Sequence, residues 1–222
     1  MSRFTCFFAV CIALLGGAPL YPQTPPDNPV FQFPLSPATL PRFHEICGVL
    51  AKRPVTKGIF TQKKNISRLN RSLVSGGNFI IDAKLGIVWE TLSPFPSTMA
   101  VGRDYIIQSV PGGAKTKLEA AGNETFLRLS ETLSAVFTGD AQRLLENFKN
   151  YFTETGAAWT LGLIPLEGSI RSFAAAIIMS GDSVIRSVTV HEQNGDSIRY
   201  ELSRHSFPEE LGSHEKNLFS AH

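Results

Sequence analysis

The spacing of apolar residues divides the chain into segments with a helical period and segments with a strand period. Between Thr39 and Lys52, apolar side chains recur every three or four residues, as on one face of a helix. Thr39 can cap this helix, Pro41 is tolerated in its first turn and Pro54 ends it. The segment predicts a helix that packs on a core through Leu40, Phe43, Ile46, Cys47 and Leu50.

From Val55 to Glu119 the apolar period changes to two, which is the period of half-buried strands. Glycine-containing turns punctuate this region. Successive short strands joined by short turns predict an antiparallel meander. The predicted strands are 56–63, 73–82, 86–91, 98–101, 105–110 and 116–119.

Two amphipathic helices follow the meander. Asn123 can cap the first, which extends to about Phe137 and ends at Gly139, and Asp140 can cap the second. The helical pattern of the second continues at Leu144, Leu145, Phe148, Tyr151 and Phe152. Because a helix pair cannot act as a hairpin loop, we expect both helices to lie across the sheet.

The strand period then returns, and Asn194-Gly195 is a strong signal for a tight hairpin. The later strands are predicted at 157–165, 172–180, 183–192 and 197–205. A sheet of roughly ten strands must curl. If it closed into a full barrel, the predicted helices would not be needed to cover it. The pattern therefore predicts a mainly β, α+β fold. We expect an incompletely closed antiparallel half-barrel with an N-terminal helix and an inserted helix pair over its concave face.

The first eighteen residues have the pattern of a secretory signal peptide. Arg3 precedes the twelve-residue apolar run Phe4–Leu15, and the small residues Gly16-Gly17-Ala18 follow it. The run is too short to span a bilayer; a buried N-terminal helix is the alternative. We therefore predict export with cleavage near Ala18, a Pro-rich linker over residues 19–38, and a single domain over residues 39–222.

Charge and cysteine content narrow the function further. Loss of Arg3 with the leader removes one of 21 basic residues, against 19 acidic residues, so the exported chain is near neutral and has no footprint for nucleic acid. Cys6 and Cys11 lie in the leader, which leaves Cys47 without an intramolecular disulfide partner. On an apolar helix face, Cys47 is interpreted as a small core residue.

No catalytic constellation is evident. Neither a Gly-x-Ser-x-Gly elbow nor a phosphate-binding glycine loop occurs. Asp182, Ser187 and His191 share one predicted hairpin region, but no acid is placed to orient the histidine. The five histidines have no metal-ligand spacing; they are His44, His191, His205, His214 and His222. We predict a protein that is not an enzyme and has no metal or cofactor.

Four short motifs, all behind the leader, point to one known family when taken in order. They are Ile-Phe-Thr-Gln-Lys at 59–63, the Gly77…Trp89…Pro94 stretch, Val-Gly-Arg-Asp-Tyr-Ile at 101–106 and Trp-Thr-Leu-Gly-Leu-Ile-Pro at 159–165. In this combination the chain resembles the outer-membrane lipoprotein carrier protein family (LolA-like) from about Thr39 to Phe207.

The resemblance implies an open half-barrel with a helical lid over an apolar cavity. It also implies a monomeric periplasmic carrier of lipoprotein acyl chains, from an inner-membrane ABC-type releasing complex to an outer-membrane acceptor. Two alternatives stay open, because the same fold can serve other partners. One is a carrier of another lipid or glycolipid, and the other is a periplasmic sensor or interaction protein.

One stretch departs from the family pattern. The family carries an Arg-Pro pair shortly before the tryptophan, and that arginine bonds to the lid, whereas this chain has Asp82-Ala83-Lys84-Leu85. Lys84 is the candidate to lock the lid, although lysine lacks the forked donors of arginine.

Within the implied cavity, strand alternation nominates the residues that contact an acyl chain, although each also fits an ordinary core position. The strand residues are Phe60, Phe79, Ile81, Trp89, Met99, Val101, Ile107, Trp159, Leu161 and Leu163. The lid residues are Leu129, Leu133, Val136 and Phe137.

Overall fold

One antiparallel sheet of eleven strands organises the described chain. The computed structural model describes residues 26–119, 124–166 and 168–220. The strands are β1 (Val55–Ile66), β2 (Arg71–Asp82), β3 (Gly86–Ser93), β4 (Ser97–Val101), β5 (Tyr105–Ser109), β6 (Thr116–Glu119), β7 (Phe148–Thr155), β8 (Ala158–Pro165), β9 (Ala174–Gly181), β10 (Ile185–Glu192) and β11 (Ser197–Ser206).

The two meanders meet at the middle of the sheet. The strand order is β6-β5-β4-β3-β2-β1-β11-β10-β9-β8-β7, and β1 pairs with β11 through Gln62 opposite Tyr200. The strands β6 and β7 form the two edges, so the sheet is not closed. The predicted fold class, an open mainly β half-barrel with helices, is confirmed.

The helices are α1 (Leu40–Ala51), α2 (Glu124–Thr138), α3 (Ala141–Asn147), α4 (Gly168–Phe173) and α5 (Ser213–Lys216). Three 3-10 segments span Pro29–Gln32, Ser67–Leu69 and Asn217–Phe219. Asp140 caps α3 as predicted, because its carboxylate accepts from the Arg143 N–H at 3.1 Å. Thr39 precedes α1, but its hydroxyl instead accepts from the Ser36 N–H at 3.0 Å. Asn123 lies outside the described residues.

The second predicted helix is wrong beyond Asn147. Phe148 begins strand β7, which pairs with β8 from Phe148 opposite Pro165 to Thr155 opposite Ala158. Phe148 and Phe152 are four residues apart, which fits one face of a helix and also one face of a strand. Only the partner strand distinguishes the two, because it satisfies the backbone groups along the segment.

Each face of the sheet has its own apolar core. We call the face that α1, α2, α3 and α4 cover the inner face, and the other the outer face. The inner core joins side chains of the central strands to Phe43, Val136, Leu144 and Ile170 of the four helices. The outer core is covered by the C-terminal segment, which contributes Leu211 and Phe219. In the described chain, the outer core is therefore limited to strands β1 to β5, whereas the inner core also includes β8 to β11.

The proline-rich segment before α1 covers the β7 edge of the sheet. The Leu35 N–H donates to the Asn150 carbonyl, and the Phe152 N–H donates to the Phe33 carbonyl, each at 2.9 Å. The Phe31 ring packs edge-on against Tyr151 at 5.3 Å. The part of the predicted linker after residue 26 thus protects an edge strand. The predicted leader, residues 1–18, lies outside the described residues.

None of the described helices has the length and apolar character needed to cross a membrane.

Candidate functional site

An aromatic cluster occupies the middle of the inner face. Trp89 stacks on Tyr200 with ring centroids 5.1 Å apart, and Phe60 meets the edge of Trp89 at 5.1 Å. Phe79 lies 5.8 Å from Trp89. From α2, the Phe137 ring contacts Trp89 at 5.8 Å. Strand residues and a helix residue nominated from the sequence therefore meet at this point.

The β8 side of the inner face is more aliphatic. Trp159, Leu161 and Leu163 of β8 are buried in the inner core. The Trp159 indole N–H is satisfied by the Asp182 carbonyl at 2.6 Å, so its ring can be buried without a lost hydrogen bond. Ile81 of β2 belongs to the same core.

Of the three residues nominated on β4 and β5, two lie on the inner face and one lies on the outer face. Met99 and Val101 pack with Ile106 and with Trp89 on the inner side. Ile107 instead belongs to the outer core with Val88. The register explains this, because Ile106 pairs with Val101 and Ile107 with its neighbour Ala100. A shift of one residue moves a strand side chain to the other face.

Helix α2 supplies the predicted cover at two of four positions. Val136 and Phe137 are buried in the inner core, whereas the side chains of Leu129 and Leu133 lie outside the described part of the structure. Ser130 links α2 to the sheet, because its hydroxyl donates to the Gly102 carbonyl at 2.6 Å. Both Ser130 and Thr132 are buried.

Lys84 lies in the turn between β2 and β3. It is exposed, and its backbone N–H donates to the Asp82 carboxylate at 2.8 Å. A lid-locking role for its ammonium group stays a prediction. The described hydrogen bond between α2 and the β4–β5 turn is the one made by Ser130.

Two small voids lie between the helices and the sheet in the described part of the chain. A void of about 10 Å³ lies between α1, α2 and β8, where Phe43, Val136 and Leu161 line it. A second void of about 20 Å³ lies at the end of α1, lined by Phe79, Phe137 and His205 among others. Ligand pockets for small molecules usually measure about 300–1,000 Å³. The helices therefore take up the volume that a ligand on the inner face would need.

His205 forms the boundary of the second void. The ring stacks on Phe207 and meets the edge of Phe79, with centroids 6.4 Å and 5.7 Å away. Its Nδ1 atom is buried without a hydrogen-bond partner among the described residues. Burial lowers the pKa of His205, and the positive charges of Arg186 and Arg53 add to this.

Cys47 is buried in the inner core and lines the smaller void. Burial, with a smaller effect from Asp140, raises the pKa of this thiol to about 12. The thiol therefore stays protonated at neutral pH, which suits a core side chain better than a nucleophile.

Asp182, Ser187 and His191 do not come together. Ser187 bonds to the Ser180 hydroxyl at 2.8 Å, and the Asp182 carboxylate accepts from Arg186 at 3.1 Å. His191 follows Ser187 by four residues on β10, or about 13 Å along a strand. Among the described residues, no group of three or more His, Cys, Asp or Glu side chains could hold a metal ion.

Comparisons with known proteins add structural likenesses. No family model and no curated protein matches the chain. Among solved structures, a LolA superfamily protein of Nitrosomonas europaea is similar at 6% identity and a TM-score of 0.45, covering 79% of this chain and 96% of that chain. The lipoprotein LppX of Mycobacterium tuberculosis is similar at 11% identity and a TM-score of 0.46, covering 80% and 99%.

LprF of Mycobacterium bovis is also similar, at 8% identity and a TM-score of 0.38, covering 82% of this chain and 98% of that chain. The LolA-like resemblance drawn from the sequence motifs stays a prediction, because at these TM-scores the likenesses carry no argument about family. With TM-scores below 0.5, these likenesses say nothing about cargo.

Several contributors to the inner face were not nominated from the sequence, among them Tyr200, Ile106 and Ile170. Tyr200 alternates with Ile198 and Leu202 on β11, all buried, and that alternation is visible in the sequence. Ile170 lies on the short α4, where six residues are too few for a helical period to show.

Proposed function

We propose that this chain is an exported, periplasmic carrier that binds acyl chains of lipoproteins between its helices and the inner face of its sheet. The observation that carries the proposal is the continuous aliphatic and aromatic inner face of an open sheet, covered by separate short helices. Burying one methylene is worth about 0.8 kcal/mol, so a long acyl chain gains roughly 10 kcal/mol without polar contacts.

Cargo binding requires the helices to move. The voids of about 10 Å³ and 20 Å³ are far too small for an acyl chain. Helix α2 packs against α1, α3 and α4, so the helices form a layer of their own over the sheet. In the proposed mechanism this layer separates from the strands, and the acyl chain replaces contacts such as the one between Phe137 and Trp89.

The first experiment identifies the cargo. The exported chain is purified from its own periplasm and the molecules that accompany it are identified by mass spectrometry. Triacylated polypeptides support lipoprotein carriage. If free phospholipid or glycolipid is found instead, the protein is still a carrier, but its cargo is that lipid. A protein that remains empty and gains no lipid in vitro would contradict the carrier and favour a sensor or interaction protein.

A matched pair of variants tests the binding face. Val136 on the inner face and Val88 on the outer face are each 1% exposed. Val136→Thr and Val88→Thr each bury one hydroxyl, which costs about 1–3 kcal/mol. We expect Val136→Thr to weaken binding of a fluorescent fatty acid about tenfold and Val88→Thr to leave it unchanged. Equal binding by both variants would contradict the proposed site.

Donor and acceptor belong to the proposal as well. An inner-membrane ABC-type releasing complex would load the chain, and an outer-membrane acceptor would unload it. If Lys84 holds the helices closed, Lys84→Leu should speed acyl exchange between protein and vesicles. Equal exchange rates in the two proteins would leave Lys84 as a surface residue of the turn.

A further inference from the structure

Exposed apolar side chains concentrate at one end of the sheet. Ten large apolar residues are exposed in the described chain, and seven of them lie at the end of the sheet where β1, β3, β5, β8 and β10 finish. Such a concentration of exposed apolar side chains indicates an interaction surface. Five of the seven come from two adjacent hairpins, and we call this group the apolar tip. Its members are Leu69, Leu73, Val74, Leu92 and Phe95.

The register places the members of the apolar tip at the same end of the sheet, where alternation along β2 directs Leu73 and Val74 to opposite faces. Pairing between β1 and β2 begins at Ile66 opposite Arg71, whereas pairing between β2 and β3 begins only at Gly76 opposite Ser93. The hairpin of β1 and β2 therefore extends past β3 by five residues, or about 17 Å. Gly76 pairs with Ser93. Val74 lies two residues before Gly76, and Phe95 lies two residues after Ser93, so both side chains lie just beyond this pair at the same end of the sheet.

Four members of the apolar tip have more than half of their surface exposed to solvent. The exposed fractions are 63% for Leu69, 59% for Val74, 58% for Phe95 and 53% for Leu92. Leaving side chains of this size in water forgoes the free energy that burial would give. The inner face does not include them, because its core is formed further along the same strands.

Basic residues outnumber acidic ones beside the first hairpin of the apolar tip, where Asp196 accepts from the Ser67 N–H at 2.9 Å. From Phe60 to Ile81 the sequence has four basic residues and no acidic residue. Lys63, Arg68 and Arg71 are exposed, and none of the described carboxylates forms an ion pair with them. The fourth, Lys64, pairs with Glu192 at 3.3 Å. The turn between β3 and β4 is uncharged.

We propose that the apolar tip docks this protein onto the surface of an anionic phospholipid bilayer. Leu69, Leu73 and Val74 would enter the boundary between headgroups and acyl chains, and Arg68 and Arg71 would meet the phosphates. Charge complementarity selects a lipid surface over a second copy of the chain, since two copies would bring the same cations together. This surface is separate from the inner face, and its function does not depend on the cargo.

Vesicle flotation tests the proposal. The exported chain, without its leader, is floated with vesicles of phosphatidylglycerol and phosphatidylcholine in equal parts, and with phosphatidylcholine alone. We expect binding to the anionic vesicles that weakens steeply from about 0.1 M to about 1 M salt, as the Debye length falls from about 10 Å to 3 Å. Equal binding to both vesicle types, or binding to neither, would overturn the proposal.

Two double variants separate the two contributions. Arg68→Ser with Arg71→Ser should weaken binding to anionic vesicles about 30-fold at low salt. Leu69→Ser with Leu92→Ser should weaken it about tenfold at every salt concentration. The controls are Arg103→Ser and Leu118→Ser, single changes at exposed positions away from the apolar tip, which should bind as the wild type does.

The remaining outcomes are also decisive. If the tip variants bind vesicles as well as the controls do, the tip is not the docking surface. A concentration-dependent dimer in light scattering that the tip variants abolish would assign the surface to a second copy instead. If the wild type binds acyl chains but does not bind vesicles, only this inference is overturned. If it binds vesicles but does not bind acyl chains, the proposed function is overturned.

Discussion

At the scale of single residues, cationic and aromatic side chains surround a partly buried histidine, His205, near the end of α1. Arg53 lies over the Phe207 ring with its guanidinium carbon 4.1 Å from the ring centroid, and it donates to the Ser183 carbonyl at 2.7 Å. His205 lies beside them with its Nδ1 buried and unpartnered among the described residues. Arg186, which Asp182 binds, adds further positive charge. Burial and the two guanidinium groups lower the pKa of His205 and outweigh the Ile185 backbone and Asp182, which raise it.

This environment predicts a pH-dependent stability. The pKa of His205 is lowered by burial first and by Arg186 second, and burial also lowers the pKa of His191. As the pH falls through the unfolded value of about 6.5, the unfolded chain takes up protons that the folded chain does not, so the free energy of unfolding decreases. Urea unfolding at about pH 7.5 and about pH 5.5 should show this loss.

The variant His205→Phe should reduce that loss, because an apolar ring between Phe79 and Phe207 has no proton to gain. His191 remains, so part of the pH dependence should persist. The control is His214→Gln, at an exposed position, which should keep the wild-type dependence. If His205→Phe lost as much stability between the two pH values as the wild type, the burial of His205 would not contribute.

At the scale of elements, the sheet depends on a close approach between β2 and β3. The register shifts between Gly76 and Gly77, which face Ser93 and Thr91. A side chain at Gly77 would place its Cβ 1.9 Å from the Glu90 carbonyl oxygen, whereas one at Gly76 would lie 3.2 Å from the Phe60 carbonyl oxygen. The space available for a side chain therefore differs greatly between these two adjacent glycines.

The difference predicts unequal effects of the same substitution. Gly77→Ala should lower the free energy of unfolding by about 3 kcal/mol or more, because strand backbone must move. Gly76→Ala should lower it by less than about 1 kcal/mol, since a small shift relieves the contact. Guanidinium unfolding of the two variants and the wild type measures both. Similar losses in the two variants would show that β3 does not approach β2 as closely as described.

At the scale of the whole molecule, the fold separates a paired sheet from a helical layer that covers it. Each strand is hydrogen-bonded to its neighbours in one continuous sheet, whereas α2 is linked to the β4–β5 turn by the Ser130 hydroxyl. Apolar contacts also join α2 to the sheet, such as that of Phe137 with Trp89. Apolar contacts are non-directional and can be replaced by an acyl chain.

Opening of this layer should therefore be sensitive to one hydrogen bond. Ser130→Ala leaves the Gly102 carbonyl without its donor and should speed uptake of a fluorescent fatty acid about tenfold, in line with about 1–1.5 kcal/mol for the bond. Stopped-flow quenching of tryptophan fluorescence measures the rate. Ser134→Ala, on the same helix, should leave the rate unchanged. An unaltered rate in Ser130→Ala would show that α2 is not the part that moves.

Much of this architecture could be predicted from the sequence, since ten of the eleven strands carry a period of two that glycine turns interrupt. The exceptions have physical causes. The segment from Phe148 to Phe152 is predicted as helix because its aromatic spacing fits both structures, and only pairing with β8 decides that it is a strand. Ile107 was assigned to the wrong face because β5 has apolar residues at both Ile106 and Ile107, and the register with β4 chooses between them.

The sequence by itself determined the order of the elements apart from β7, α4 and α5, and the open, helix-covered sheet, because local periodicity and turn residues act over a few neighbouring positions. Tertiary structure alone decided which side chains share a face, how completely the helices fill the inner face, and where apolar residues are left in water. Those properties depend on contacts between residues far apart in the chain, such as Phe60 with Tyr200 and Ser130 with Gly102. No local pattern encodes them, since packing is settled only when distant segments meet.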